Sequence, residues 1–160
     1  MRRHTLGSGG PLRPPGNAGV FPGTLEAAPV LGSTRERSVA RVLIVDDTDI
    51  VRRALELAVR KMGHLVVSTS DAVEALAMAR KQPPDLALLD YRMPGMDGAT
   101  LFEEMQLSLG ERCPKVLFIS ATPPEEVARQ VEPRFRPVGY VKKPFHLDDL
   151  TRVVGDALAA

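Results

Sequence analysis

The sequence contains one cysteine and no tryptophan, and only 4% of its 160 residues are aromatic. With Cys113 alone, an internal disulfide bond and a zinc site built from several cysteines are both excluded, which is consistent with a reducing cytosol. So few aromatic side chains argue against a stacking surface for single-stranded nucleic acid.

Neither sign of charge predominates, and no long apolar run is present. A net charge of +1 gives the chain no general attraction to nucleic acid. No stretch approaches the roughly 20 apolar residues of a membrane helix. The pair Arg2 and Arg3 is followed by Gly, Ser and Pro instead of the apolar core of an export signal. We therefore expect a cytoplasmic protein that binds neither a membrane nor nucleic acid directly.

Residues 1–38 differ in composition from the rest of the chain. Twelve of them are Gly or Pro, and they show no helical or strand periodicity. Such a segment cannot bury enough apolar surface to offset the entropy of ordering it. We therefore predict a disordered tail over residues 1–38 and one folded domain over residues 39–160. The tail is a docking arm or tether, or else a linker remnant or translated sequence upstream of the true start, and we favour the second pair of interpretations.

From Val39 onward, short apolar runs alternate with amphipathic stretches. The predicted strands are 42–45, 65–67, 86–89, 115–119 and 140–142, with helices at about 50–62, 71–81, 98–107, 125–132 and 147–158. Three strands are continuous apolar runs, as expected of parallel strands that are buried on both faces. The pattern predicts an α/β fold, a flavodoxin-like, doubly wound (βα)5 parallel sheet with strand order 2-1-3-4-5.

Local signals mark several helix ends. Gly63 is a typical C-terminal glycine for the first helix. Asp71 and Glu74 have the spacing of a capping box for the second helix, and Asp97 is placed to cap the third. Prolines at 123, 124, 133 and 137 restrict the fourth helix, which we expect to be short.

Polar residues follow four of the strands at their carboxyl ends, where ligand sites of open α/β sheets lie. They are Asp46 and Asp47 after strand 1, Asp90 after strand 3, Ser120 after strand 4 and Lys143 after strand 5. In the order 2-1-3-4-5 these side chains would meet at one edge. Three clustered carboxylates repel each other, and a hard cation such as Mg²⁺, Mn²⁺ or Ca²⁺ relieves that repulsion. With an ammonium and a hydroxyl group nearby, the pattern predicts a site that holds a phosphoryl group on Asp90.

Four blocks of the sequence resemble the receiver domains of response regulators in two-component systems, in particular stand-alone receivers of the chemotaxis-regulator type. The blocks are VLIVDD at 42–47, LLDYRMPGMDG at 88–98, FISA at 118–121 and GYVKKPF at 139–145. They occur in the family's order and at its spacing, and the resemblance covers about residues 40–158.

The resemblance implies a role for each site residue. Asp90 would accept a phosphoryl group from a phosphohistidine on a sensor histidine kinase or a histidine phosphotransfer protein. Mg²⁺ would be bound by Asp90, directly by Asp47, mainly through water by Asp46, and by the backbone carbonyl of Arg92. Lys143 would pair with Asp90 and then with a phosphoryl oxygen, and its bond to the following proline would be cis.

The resemblance also implies a switch and a surface that partners recognise. Ser120 would move toward the phosphoryl group, and Tyr140 would then turn inward. The partner surface would comprise helix 4, strand 5 and helix 5, including Arg129, Arg134, Phe135, Arg136 and Tyr140. The short fourth helix departs from the family pattern at this surface. The side chains of Arg92 and Thr122 occupy positions where receivers vary, and we expect them to affect the lifetime of the acyl phosphate.

We therefore expect a single-domain response regulator that signals to an unidentified target by phosphorylation-dependent binding. It would not be an enzyme, but a phosphoacceptor that assists its own phosphorylation and dephosphorylation. The alternative is an interaction module that works without phosphorylation, against which the intact site residues argue. A phosphatase of the haloacid dehalogenase type needs an aspartate two residues after the nucleophile, where this chain has Arg92.

Overall fold

The computed structural model describes residues 38–159, which form a five-stranded parallel sheet with helices on both faces. The strands are β1 (Arg41–Val45), β2 (Leu65–Thr69), β3 (Leu86–Leu89), β4 (Lys115–Ser120) and β5 (Gly139–Lys142). The helices are α1 (Asp49–Lys61), α2 (Ala72–Lys81), α3 (Gly98–Leu109), α4 (Pro124–Gln130) and α5 (Leu147–Ala159). The strand order is β2-β1-β3-β4-β5, which confirms the predicted fold. The predicted tail, apart from Ser38, lies outside the described residues.

Helices cover both faces of the sheet, and successive strand side chains point to opposite faces. In β1, Val42 and Ile44 pack in a layer with α1 and α5. Leu43 and Val45 pack in the opposite layer with α2, α3 and α4. This double burial explains why β1, β3 and the apolar part of β4 are continuous apolar runs.

The first two helix boundaries follow the predicted signals, with one correction. Gly63 follows α1 with φ of +92°, and the Asp71 side chain accepts hydrogen bonds from the backbone of Val73 and Glu74. The other half of the capping box, a hydrogen bond from the Asp71 N–H to the Glu74 carboxylate, was predicted wrongly. The Glu74 carboxylate instead accepts the hydroxyl of Thr69 at 2.9 Å, and that hydroxyl accepts the Asp71 N–H at 3.1 Å. Thr69 replaces the direct contact because its hydroxyl can donate and accept at once.

Helices α3 and α4 follow the β3–α3 and β4–α4 loops, which border the site. Asp97 caps α3 as predicted, accepting the backbone N–H of Thr100 at 2.8 Å. Helix α4 has only seven residues and makes no side-chain cap, in agreement with the prolines around it. It ends two residues earlier than predicted, at Gln130. Within residues 38–159, no helix combines the length and apolar character needed to cross a bilayer.

Candidate functional site

Three carboxylates gather at the carboxyl edge of the sheet. Asp46 and Asp47 follow β1, and Asp90 follows β3, its neighbour in the sheet. Oxygen atoms from the three carboxylates all lie within 4.8 Å of one another. Asp46 and Asp90 are buried, with 1% and 7% of their surface exposed, whereas Asp47 is exposed. An all-oxygen cluster of this spacing, with one member open to solvent, fits a hard divalent cation.

Lys143 supplies a positive charge between two of these carboxylates. Its Nζ lies 2.6 Å from Asp46 Oδ2 and 3.5 Å from Asp90 Oδ1. The backbone N–H of Lys143 donates to the carbonyl of Ser120 at 2.8 Å, which fixes the lysine beside the end of β4. The bond from Lys143 to the following proline is cis, as predicted. The pairing with Asp90 predicted from the sequence is present, but Asp46 is the closer partner.

The site makes Asp90 a weaker acid than an ordinary aspartate. Burial, followed by the negative charge of Asp46, raises the pKa of Asp90 from 3.8 to about 6, and Asp47 adds to the rise. The ammonium of Lys143 and a hydrogen bond from the backbone of Tyr91 oppose these effects only in part. The negative charge of the three carboxylates is therefore only partly neutralised by Lys143, and a bound cation would neutralise the rest.

Gly98 packs against the site, and the sequence had assigned it no role there. A Cβ atom at this position would overlap the backbone carbonyl oxygen of Asp90. The backbone N–H of Gly98 donates to the carbonyl of Tyr91 at 2.7 Å, so the start of α3 packs directly on the backbone of Asp90 and Tyr91. The glycine after Asp97 in the sequence was the available signal, but its meaning depends on how the loop folds back.

The two predicted switch residues lie on neighbouring strands. Ser120 is 3% exposed at the end of β4, and its Oγ accepts the backbone N–H of Thr122 at 3.1 Å. Tyr140 in β5 stacks on Phe118 of β4, with ring centroids 5.8 Å apart and planes 14° apart. The ring of Tyr140 is therefore already in contact with the core, two residues along β4 from the predicted switch hydroxyl.

The side chain of Arg92 crosses from the β3–α3 loop to the β4–α4 loop. Its Nε donates to Thr122 Oγ1 at 3.1 Å, and one terminal nitrogen lies 3.4 Å from Glu126 Oε1 in α4. Its guanidinium carbon also lies 6.0 Å from the ring centroid of Tyr91. The metal-binding role of the Arg92 carbonyl stays a prediction. The structure thus joins the side chains of Arg92 and Thr122, which the sequence had singled out separately.

The residues of the predicted partner surface are only partly exposed to solvent. Its three arginines are exposed: Arg129, Arg134 and Arg136. Phe135 is half-buried instead, with its ring centroid 6.0 Å from that of Phe102 in α3. Arg134 lies 4.7 Å above the Phe135 ring and pairs with Glu132 at 2.8 Å. Phe135 therefore anchors the segment after the short α4 to the core.

Comparison with known proteins agrees with this geometry. The sequence profile of the family described as the response regulator receiver domain matches residues 42–155. The regulatory protein AtoC of Escherichia coli (strain K12) is 39% identical over 122 residues, which cover 76% of this chain and 26% of AtoC. A crystal structure of a putative response regulator from Chloroflexus aurantiacus J-10-fl has a TM-score of 0.69 and 29% identity, over 77% of this chain and 100% of that one.

A second solved structure shares the fold. The receiver domain of the sensor histidine kinase PA1611 from Pseudomonas aeruginosa PAO1 has a TM-score of 0.67 and 23% identity, over 77% of this chain and 100% of that one. That structure holds a magnesium ion coordinated in its active site cleft, and the likeness to it shows the fold alone. This chain spans about a quarter of the length of AtoC. From the profile match and the shared fold, the chain belongs to the response regulator receiver domain family.

Proposed function

We propose that this protein is a response regulator that accepts a phosphoryl group on Asp90 from a phosphohistidine. The observation that carries the proposal is the grouping of three carboxylates within 4.8 Å, with Lys143 in contact with two of them. The donor would be a sensor histidine kinase or a histidine phosphotransfer protein. The match of residues 42–155 to the response regulator receiver domain supports a phosphohistidine donor of this kind.

Asp90 is the nucleophile of the proposed reaction. A pKa of about 6 leaves most Asp90 carboxylates ionised at neutral pH. One carboxylate oxygen attacks phosphorus, and the P–N bond to the histidine breaks as the new O–P bond forms. The imidazole leaves after the nitrogen that carried phosphorus takes a proton from solvent. Hydrolysis would restore the free Asp90 carboxylate. Water attacks phosphorus, the carboxylate leaves, and inorganic phosphate is released.

We propose Mg²⁺ as the cofactor. Asp47 and Asp90 would bind it directly, together with the backbone carbonyl of Arg92, and Asp46 would act mainly through water. When bound, it would neutralise charge on the phosphoryl oxygens. Lys143 would neutralise another phosphoryl oxygen, which its 3.5 Å distance from Asp90 supports. The domain would thus assist its own phosphorylation and dephosphorylation without being an enzyme that acts on a separate substrate.

The proposed output is protein binding. Ser120 would turn toward the phosphoryl group, and the stacked pair of Tyr140 and Phe118 would respond on the neighbouring strand. The target would be either a protein bound only in the phosphorylated state or a phosphotransfer protein further along a relay. We place this exchange in the cytoplasm, with no direct contact to nucleic acid or a membrane.

Intact-mass measurement after incubation with acetyl phosphate and Mg²⁺ tests the proposal. We expect one added phosphoryl group that hydroxylamine removes and that an Asp90→Asn variant lacks. Asp47→Asn should shift the dependence of the adduct on Mg²⁺ to higher Mg²⁺ concentrations, because it removes a proposed ligand. Asp49→Asn, which removes an exposed carboxylate outside the cluster, should leave that dependence unchanged.

The result that would overturn the proposal is no adduct in the wild type, either from acetyl phosphate or from a panel of phosphorylated histidine kinases. That result would favour an interaction module that works without phosphorylation. Pull-down experiments with the Asp90→Asn variant would then recover the same partners as the wild type.

A further inference from the structure

A chain of three hydrogen-bonded residues joins the phosphoacceptor loop to the switch hydroxyl. Arg92, two residues after Asp90, donates through Nε to Thr122 Oγ1 at 3.1 Å. Thr122 in turn donates its backbone N–H to Ser120 Oγ at 3.1 Å. Thr122 is 8% exposed, so its hydroxyl is held in a fixed position from which Arg92 can be bound. The Arg92 side chain itself is 73% exposed and can leave without disturbing the core.

The same guanidinium reaches the first turn of α4. Its terminal nitrogen lies 3.4 Å from the Glu126 carboxylate. Helix α4 has seven residues and no side-chain cap, so its own hydrogen bonds stabilise it little. A contact from outside the helix therefore contributes more to its position than it would to a longer, capped helix.

We propose that the Arg92 side chain is a latch that holds the β4–α4 loop and α4 in the unphosphorylated position, and that a phosphoryl group on Asp90 releases it. This inference rests on the proposed function, because its release step needs a phosphoryl group on Asp90. In the latched state Arg92 binds Thr122 and Glu126. The backbone N–H of Thr122 donates to the hydroxyl oxygen of Ser120 in that state. In the released state Arg92 and Ser120 both turn toward the phosphoryl oxygens.

The charges on the two sides explain why phosphorylation would open the latch. A phosphoryl group carries about −1.5 to −2 charges and three strong acceptor oxygens at neutral pH. The latched partners are one half-exposed carboxylate, Glu126, and one neutral hydroxyl, Thr122. Guanidinium groups bind phosphate in a forked geometry that is stronger than a single exposed ion pair. The phosphoryl group therefore competes for Arg92 and Ser120 at the same time.

The latch has to be weak for this competition to work. Exposed ion pairs change an equilibrium by about twofold to fivefold, and the Arg92–Glu126 pair is of that kind. Its loss should therefore shift the population of α4 conformations by the same modest factor. The fold itself should not be affected, because the Arg92 side chain is largely outside the core.

Hydrogen–deuterium exchange of the peptide that contains α4 tests the latch in the full chain. In the unphosphorylated protein, we expect Arg92→Met to speed exchange by about twofold to fivefold. Glu126→Gln should have a similar effect. The double variant should add little, because both changes break the same Arg92–Glu126 contact. Arg112→Met removes an exposed arginine at the other end of the sheet and gives the matched control, with exchange equal to the wild type.

The same measurement is repeated with Mg²⁺ and beryllofluoride, a stable mimic of the phosphoryl group. Exchange of α4 should rise in the wild type until Arg92→Met no longer differs from it. Equal exchange in unphosphorylated wild type and Arg92→Met would overturn the latch. An undiminished difference in a protein shown by ¹⁹F NMR to carry beryllofluoride would overturn its release. A wild type that binds no beryllofluoride would refute the phosphoacceptor and the release together, while the first comparison would still decide whether Arg92 restrains α4.

Discussion

Lys143 lies closer to Asp46 than to the predicted phosphoacceptor, since its Nζ is 2.6 Å from Asp46 Oδ2. Asp46 is almost completely buried, so its charge needs a nearby cation. The longer distance of 3.5 Å from Lys143 Nζ to Asp90 Oδ1 leaves Asp90 less firmly paired. The lysine therefore stabilises the Asp46 carboxylate more strongly than the Asp90 carboxylate.

We expect Lys143→Met to lower the free energy of unfolding by about 3 kcal/mol, because it leaves the buried Asp46 carboxylate without its cation. Urea unfolding in the presence of EDTA measures the change. Lys142→Met gives the matched control, because Lys142 is the neighbouring residue and is exposed. We expect it to stay within about 0.5 kcal/mol of the wild type. Equal effects of the two substitutions would show that Lys143 does not stabilise Asp46.

The raised pKa of Asp90 predicts a specific pH dependence of stability. Folding raises this pKa from 3.8 to about 6, so ionising Asp90 destabilises the folded state. The penalty is absent below about pH 4, grows as the pH rises, and is complete above about pH 6. Asp90→Asn removes it, and its stability relative to the wild type should rise with pH by up to about 3 kcal/mol at pH 7.

Urea unfolding of the wild type and Asp90→Asn at pH 4, 5, 6 and 7, with EDTA, measures this difference. Asp156→Asn, on the exposed face of α5, serves as the control for removal of one carboxylate. A constant difference between wild type and Asp90→Asn across this range would contradict the raised pKa. Added Mg²⁺ should reduce the wild type's penalty, because bound cation favours the ionised carboxylate.

Two glycines predict opposite effects of the same substitution. Gly98→Ala places a Cβ against the backbone carbonyl of Asp90, so we expect it to lower the free energy of unfolding by about 2 kcal/mol. Gly155 lies within α5, where the nearest atom to an added Cβ would be Met62 Cε at 3.9 Å. Gly155→Ala should therefore raise the free energy of unfolding by about 0.5 to 1 kcal/mol. Thermal unfolding of both variants checks the signs, and a neutral Gly98→Ala would refute the tight packing of α3 on Asp90.

The sequence was sufficient for the parts of the structure that depend on regular geometry. The apolar run 86–89 predicts a strand because burial on both faces demands apolar residues at every position. Asp46 and Asp90 could be brought together because carboxyl ends of neighbouring parallel strands meet at one edge. Their separation in the chain is 44 residues, yet the strand order alone determines that they are neighbours.

Features that depend on loop conformation could not be predicted in the same way. The contacts of Arg92 with Thr122 and Glu126 join two loops whose path is not set by hydrophobic periodicity. Phe135 was expected on a partner surface, but the chain after the short α4 turns its ring toward Phe102. In both cases the side chain is long enough to reach several partners, and only the folded loop decides which one it contacts.

Intrinsic fluorescence offers a direct test of the predicted switch. The chain has no tryptophan and two tyrosines, Tyr91 next to Asp90 and Tyr140 stacked on Phe118. In a Tyr91→Phe background, emission comes from Tyr140 alone. We expect acetyl phosphate and Mg²⁺ to change that emission, because movement of Ser120 alters the packing of the ring on β4 and β5.

Adding Ser120→Ala to the Tyr91→Phe protein should remove most of the emission change while intact mass still shows the phosphoryl adduct. Ser108→Ala removes an exposed hydroxyl on α3 and should leave the change as it is. An emission change that survives Ser120→Ala would mean that Tyr140 responds to the phosphoryl group by a route that does not involve the Ser120 hydroxyl. Because the mass of the adduct is recorded on the same samples, a loss of signal caused by failed phosphorylation is distinguished from a loss of coupling between the two strands.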